Sequence, residues 1–522
     1  MNQILTKYIT KDTKVSSFDN TVIFEVPTTE IIKLAHDLHD NEKLSLKLIT
    51  ATDERKENGC YKIWYVFASP EEKCFIIPFI VLKNSEEFPA LAPTMHEAWI
   101  YERRIKTFFG LKPIGHPDER PVILHENWPT NMFPLRKDFD WNNRPANAHN
   151  DLYKFQKVEG EGVYEIPVGP IHAGIIEPGH FRFSVAGEEI LLLESRLGYV
   201  HKGSEKLFEQ LSLDEKIKLS EKISGDSSFS HSLAFCQAVE QLSNTVVPKR
   251  ANYLRVIFAE LERLANHFGD IGAMMLDTGF NFGGSNGARL REMVMQINEK
   301  LTGSRFLRGV NTVSGVKKDL DENNIKFLSL ELNKINKDFS EIIAIAENSV
   351  SLLNRLKGTG KLPSYVAVDH GIVGVPSRAL GVARDTRIDF PYAAYSELSI
   401  GDVPVEQDGD AYARFFVRVK EVRSSIAVIE KALEKLPKGK IVCQGINKLE
   451  KNSLAISSVE GWRGEIMYFV TTNSIGEIDR VFPRDPSFVN WSVLGYAGIG
   501  NIVPDFPLIN KSFNLSYSGN DL

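Results

Sequence analysis

Residues 254–275 read LRVIFAELERLANHFGDIGAMM, and within them Leu254, Ile257, Leu261, Leu264, Phe268, Ile271 and Met275 recur at steps of three and four. That spacing places all seven on one face of an α-helix. Phe258 and Ala265 widen the face, so the helix is read as buried. The same rhythm returns in Ile325, Leu328, Leu332, Ile335, Phe339, Ile342, Ala346 and Leu353, which predicts a helix over 323–357 that stops before Gly358 and Gly360. A third run, Phe415, Val419, Val422, Ile426, Ile429, Leu433 and Leu436, ends at Pro437. Helices this long imply a large bundle.

Toward the N-terminus the pattern changes. Residues 21–110 alternate β-rich runs (TVIFEV, LSLKLIT, YKIWYVFA, KCFIIPFIVL) with helical stretches near Thr28–His39 and Ala92–Phe109, the mark of a small α+β domain. Residues 129–160 are rich in Pro, Asn and charge without a period, and suit a connection. The predicted division is therefore 1–150 and 151–522, with a β-rich passage from Tyr164 to Glu194 opening the helix-rich part, and the fold class is α+β.

Composition narrows the function. With 43% hydrophobic and 25% charged residues the chain is expected to fold throughout. Lys and Arg total 62 against 68 Asp and Glu, so no basic field exists for nucleic acid. MNQILTKYITKDTK lacks the apolar stretch of a secretory signal, which predicts a cytoplasmic chain. The first domain's longest apolar stretch, Cys74 to Leu82, falls far short of the roughly 20 residues that span a bilayer, so membrane association is expected only through partners. Cys60, Cys74, Cys236 and Cys443 form no CxxC pair and are read as core or incidental.

Several local motifs carry little chemistry. RLKGTGK (Arg355 to Lys361) lacks both the first Gly and the final Ser or Thr of a phosphate loop and is read as a helix stop. His36 and His39, three apart without a metal-binding partner nearby, suit a solvated helix face. No GxGxxG follows a strand, so any NAD belongs to another subunit.

The densest polar clustering runs from Gly169 to Asp270. GPIHAGIIEPGHFRF sets Glu177, His172 and His180 among apolar residues, where burial would bring them toward neutral pKa values for proton transfer, or where they form a turn corner with satisfied polar groups. GDSSFSHS supplies Asp226 and His231. The buried helix adds Glu262 and Asn266, Arg263 and His267, each pair four apart, which need partners whether structural or catalytic.

These strings resemble the large subunits of membrane-bound [NiFe] hydrogenases, the formate hydrogenlyase subunit among them, and the quinone-site 49 kDa subunits of complex I. EAWIYERRIKTFFGLKPIGHPDERPVILHENWP (Glu97 to Pro129) is similar to the complex I 30 kDa signature. VGPIHAGIIEPGHFRF, LLLESRLGYVHKGSEKL, HSLAFCQAVE, ELERLANHFGDIG, DFPYAAYSEL and EGWRGEI follow in the order of the large subunit. The resemblance implies the α+β architecture, an iron–sulfur cluster in a partner small subunit, antiporter-like membrane subunits that move protons or sodium, and a peripheral position on the cytoplasmic side of the membrane. It also implies a proton-exchange role for Glu177; in the polar cavity that remains, His172 and His231 are read as relay partners and Asp226 as a carboxylate where a thiolate pair once sat.

The departures are as informative. Hydrogenases of this kind hold nickel and iron with four thiolates, in CGIC and in a C-terminal DPCxxC. Aligned on Phe229 to Ser232, the first pair falls on Ser224 and Ser227; aligned on NKSFNLSYSGNDL, the second falls on Ser516 and Gly519. With the sequence ending at Leu522, no tail for a maturation protease to remove is expected. Serine is a hard donor that stays protonated, so the expectation is a site without nickel, with no cofactor on this chain. Quinone is the alternative: His172 matches the His of the complex I GPQH loop, but the quinone-binding Tyr falls on or near Gly225. A purely structural scaffold for the iron–sulfur subunit is the third reading.

Overall fold

The computed structural model describes residues 15–522 except 19, 143, 174, 175, 444 and 446. MNQILTKYITKDTK, on which the absence of a signal is read, lies outside the described residues, as do Gly174 and Ile175 of the GPIHAGIIEPGH loop. The fold is α+β. It opens with strands β1 (Val15–Phe18), β2 (Thr21–Glu25), β3 (Ser45–Glu54), β4 (Cys60–Ser69) and β5 (Cys74–Lys83), in the order β1-β2-β5-β4-β3 with only β2 and β5 parallel. Helix α1 (Trp99–Phe109) lies against β3, where Tyr101 Oη donates to Lys47 O at 2.8 Å. It closes at Gly110, whose left-handed φ of 72° and lack of a side chain let the Phe133 ring sit where a Cβ would come within 2.6 Å of it.

Beyond the connection come β6 (Val163–Val168), β7 (His180–Ala186) and β8 (Glu189–Arg196), a small antiparallel sheet in the order β8-β7-β6. Then α2 (Ser228–Leu242), α3 (Lys249–Asp277), α4 (Asn281–Thr302), α5 (Glu322–Glu347) and α6 (Ala411–Glu434) build the bundle, with α3 at its centre against α4 and α6. Gly272 and Gly287 let α3 and α4 approach so closely that a Cβ on Gly287 would fall 2.4 Å from the Gly272 Cα.

The predicted helix over 323–357 is two helices. Asn348 closes α5, its side chain donating back to Ala344 O at 2.7 Å, Ser349 is extended, and a short helix restarts over Val350–Leu356. The apolar rhythm continues because Leu352 and Leu356 still face the core, so periodicity alone hides the break. His36 and His39 do lie on the surface, but Asp40 bonds both rings, an acidic neighbour that the spacing argument passed over.

The C-terminal part returns to β structure. β9 (Leu454–Gly461), β10 (Gly464–Thr472) and β11 (Ile478–Arg484) form a buried antiparallel sheet between α2 and the N-terminal sheet. Glu205 is gripped there by Arg104 of α1 and Arg480 of β11, all three side chains at most 5% exposed, which ties the two parts of the chain through one carboxylate. Helices α7 (Pro486–Gly498), α8 (Phe506–Phe513) and α9 (Tyr517–Asp521) follow, and Asp521 fixes α9 by accepting from Gly198 N at 2.9 Å and Val200 N at 3.1 Å.

Candidate functional site

Four consecutive residues, Ser516 to Gly519, are met by Ser224, Glu177 and His172 directly, by Asp226 and His231 through one further side chain, and by Ser227 through Asp226. Ser516 is the N-cap of α9: its Oγ accepts from Gly519 N at 2.9 Å, and its own N–H donates to Ser487 Oγ. Ser224 Oγ, in the loop before α2, lies 2.9 Å from Ser516 Oγ and 2.9 Å from Asp226 Oδ1, with one proton to share between them. Ser227 Oγ reaches the same Asp226 oxygen at 3.4 Å. Thus the two segments aligned with the nickel-binding motifs still meet, through hydroxyls.

Asp226 is held by a residue that sequence reasoning missed. Arg463 sits at the two-residue tip between β9 and β10 and donates from Nη1 and Nη2 to the two Asp226 oxygens at 2.6 and 2.7 Å. Its Nε donates to Asn514 O, and its guanidinium lies 4.0 Å from the Trp462 ring centroid. Burial alone would raise the Asp226 pKa, but the Arg463 charge and hydrogen bonds outweigh it and hold the carboxyl below its ordinary value.

Gly519 faces a second carboxylate. A Cβ there would meet Asp485 Cγ at 2.6 Å, Oδ2 at 2.8 Å and Oδ1 at 2.9 Å, so Asp485 fills the space into which a side chain at this position would project. Asp485 caps α7 through Ser487 N at 2.7 Å and pairs with His231 Nε2 at 3.0 Å, while His231 Nδ1 contacts Tyr468 Oη at 3.1 Å. The triad is buried, and His231 holds the Asp485 carboxyl below its usual pKa against the upward push of burial. The signal for Asp485 was present in the sequence: Asp before Pro and an apolar run is an N-cap pattern.

Glu177 and His172 approach α9 from the other side. Glu177 Oε2 accepts from Ser518 N at 2.9 Å, and His172 Nε2 lies 3.2 Å from Tyr517 Oη. Contrary to the burial expected, Glu177 is exposed and His172 half-buried, because the loop crosses the rim of the site. His180 is also half-buried, and burial lowers its pKa.

The polar residues of α3 divide. Arg263 and His267 join a buried network, in which His267 lies 2.7 Å from Glu421 Oε2, Arg378 bridges Glu421 and Glu460, and Arg387 bridges Asp385 and Glu260. Glu262 joins no ion pair among the described residues; its oxygens accept from Phe229 N, Ser230 N and Ser230 Oγ.

Among the described residues no group of three or more His, Cys, Asp or Glu side chains is arranged to hold a metal ion, and no helix is long and apolar enough to cross a membrane. Comparison with known proteins places this architecture. Residues 24–145 match the 30 kDa subunit of respiratory-chain NADH dehydrogenase, and residues 277–452 match its 49 kDa subunit. Formate hydrogenlyase subunit 5 of Escherichia coli (strain K12) is 34% identical over 482 residues, 91% of this chain and 84% of that protein. Hydrogenase-4 component G of the same organism is 34% identical over 502 residues, 94% and 86% of the two chains. NADH-quinone oxidoreductase subunit 4 of Thermus thermophilus is 33% identical over 378 residues, covering 67% of this chain and 92% of that one. The chain belongs to the family that unites formate hydrogenlyase subunit 5, its hydrogenase relatives and the 49 kDa subunits of complex I, in the form that carries the 30 kDa-type domain on the same chain.

Proposed function

We propose that this chain is the large subunit of a membrane-associated, complex I-like oxidoreductase complex whose former metal site contains no nickel–iron centre and handles protons. The observation that carries the reading is the donor set. Ser224 and Ser516 share a hydrogen bond, and the Asp485 carboxylate occupies the side-chain space of Gly519. Hydroxyls that remain protonated and bonded to one another do not fit a centre that requires soft thiolates. The residues left are those of a proton site: Glu177 on the rim, His172 beside it, and the Asp226 and His231–Asp485 groups inside. In this reading the chain binds no cofactor itself, an iron–sulfur small subunit supplies electrons, and antiporter-like membrane subunits move the ion, with this chain peripheral on the cytoplasmic face.

One observation favours a second reading, quinone reduction. Tyr517 places a hydroxyl 3.2 Å from His172, which restores a His and Tyr pair although the position aligned with the quinone-site Tyr is Gly225. A quinone head-group would have to enter between them.

Glu177→Gln tests the proposal. Gln still accepts from Ser518 N, and the residue is exposed, so the melting temperature should change little. Removing the titrating group should lower proton-coupled ion translocation about 10²-fold or more, a general acid–base contribution. Unchanged translocation would defeat the relay through Glu177. Unchanged translocation that quinone analogues inhibit would favour the second reading.

A further inference from the structure

Glu262 lies beneath the loop that carries Asp226, and the two carboxylates have opposite surroundings. Asn266 Nδ2 donates both to Asp226 O and to Glu262 O at 2.9 Å, strapping the loop to α3. Asp226 has the two-pronged contact with Arg463. Glu262, only 5% exposed, has instead three uncharged donors from the first turn of α2: Phe229 N at 2.7 Å, Ser230 N at 3.1 Å and Ser230 Oγ at 2.5 Å. The nearby cations are engaged elsewhere. Arg463 is on Asp226, Arg308 turns to Ser228 Oγ and Gly225 O, Arg263 binds Glu260 and the Glu460 and Gly461 carbonyls, and His231 pairs with Asp485.

We propose that Glu262 is a proton-binding acid of this site, distinct from Glu177, whose proton is shared first with the Ser230 hydroxyl. The geometry accommodates both charge states. Ionised, the carboxylate accepts all three donors at the positive end of α2. Protonated, its O–H donates to Ser230 Oγ, which turns its own proton away, while the other oxygen keeps Phe229 N. On ionisation the O–H bond breaks, the electron pair stays on the carboxylate and the proton passes to the buffer. Burial, reinforced by the Asp226 charge and opposed by the three donors, pushes the Glu262 pKa up to about 7, whereas Asp226 is held down. Two neighbouring carboxyls driven apart in this way are the usual arrangement of one group that stays charged and one that exchanges protons.

The inference deepens the proton-handling reading and rests on it for its use, although the titration itself can be read independently. Infrared difference spectra of the whole purified complex, recorded as a pH titration, should show a buried carboxylic acid carbonyl band that disappears with a midpoint near pH 7. Burial also pushes Glu97 up to about 7 and Glu102 to about 8, so Glu262→Gln, an isostere of the protonated acid, should remove one component of that band and leave theirs. Asp226→Asn removes the like charge and frees Arg463, so it should lower the proton affinity of Glu262 threefold or more. A band unaffected by Glu262→Gln, or no acid band that titrates near neutral pH, overturns the proposal. Should Glu262→Gln fail to accumulate, Asp226→Asn decides: a lowered midpoint supports the proposal and an unmoved one overturns it. Loss of translocation in Glu177→Gln without a titrating Glu262 would sink this inference alone, and the converse would sink only the proposed relay through Glu177.

Discussion

Gly519→Ala should destabilise this protein even though Ala is the better helix former. In an open helix the change gains up to about 1 kcal/mol. Here the new Cβ would lie 2.6 Å from Asp485 Cγ, when carbon atoms need about 3.5–4.0 Å. Asp485 cannot swing aside cheaply, because it is 1% exposed and anchored by His231 at 3.0 Å and Ser487 N at 2.7 Å. Giving up the charged hydrogen bond costs about 1.5–3 kcal/mol and overpacking about 1–3 kcal/mol, which after a helix-propensity gain of about 1 kcal/mol leaves a net loss of about 1.5–5 kcal/mol. Urea unfolding with unchanged slope measures it. In an Asp485→Ala background the obstruction is gone, so Gly519→Ala should become neutral or stabilising by up to about 1 kcal/mol, a coupling expected for residues in contact. If Gly519→Ala stabilises the otherwise unaltered protein, Asp485 does not fill the space of the lost ligand position.

Glu205→Gln should cost about 3–5 kcal/mol, because it leaves Arg104 and Arg480 buried together without a counter-charge; hydrogen exchange should rise along α1 and β11, and protection unchanged there would count against the tie. Burial pushes Glu260 and Glu465 upward, but Arg387 and Arg263 for the first, and Lys47 and Arg484 for the second, hold both at about 2. A carboxyl with a depressed folded-state pKa stabilises above its unfolded value, so unfolding free energy should decline as pH falls from about 4.5 toward 2; Glu260→Gln should flatten part of that decline, and an equal slope would contradict it. Arg463→Gln should cost about 2–3 kcal/mol in denaturant unfolding, less than a fully buried pair since the Asp226 side chain is 33% exposed, and Lys at 463 should rescue little because the two-pronged contact is lost.

The sequence discloses the bundle because α3 and α6 each hold one apolar face through many turns, and the core simply continues that pattern. It hides the break at Asn348, which depends on one side chain bonding its own backbone while the leucines continue in phase. The meeting of Ser224 with Ser516, 292 positions apart, came from family resemblance, since no local period encodes it. The partners that define the chemistry come from elsewhere: Arg463 from a hairpin tip, Tyr468 from β10, and Asp485 from a helix cap. Polarity on α3 was legible, but whether Glu262 had a cation beside it was not, because that depends on α2 arriving with its amide end. Residues 1–150 and 151–522 remain the proposed units, and the Glu205 contact shows that they are closely joined.

This large subunit is proposed to work without nickel. The most direct test is elemental analysis of the purified complex, with nickel, iron and protein quantified in the same sample and subunits identified by mass spectrometry. Iron in proportion to an iron–sulfur partner and nickel at background are the expected result. One nickel per chain, retained through chelator dialysis, would contradict it.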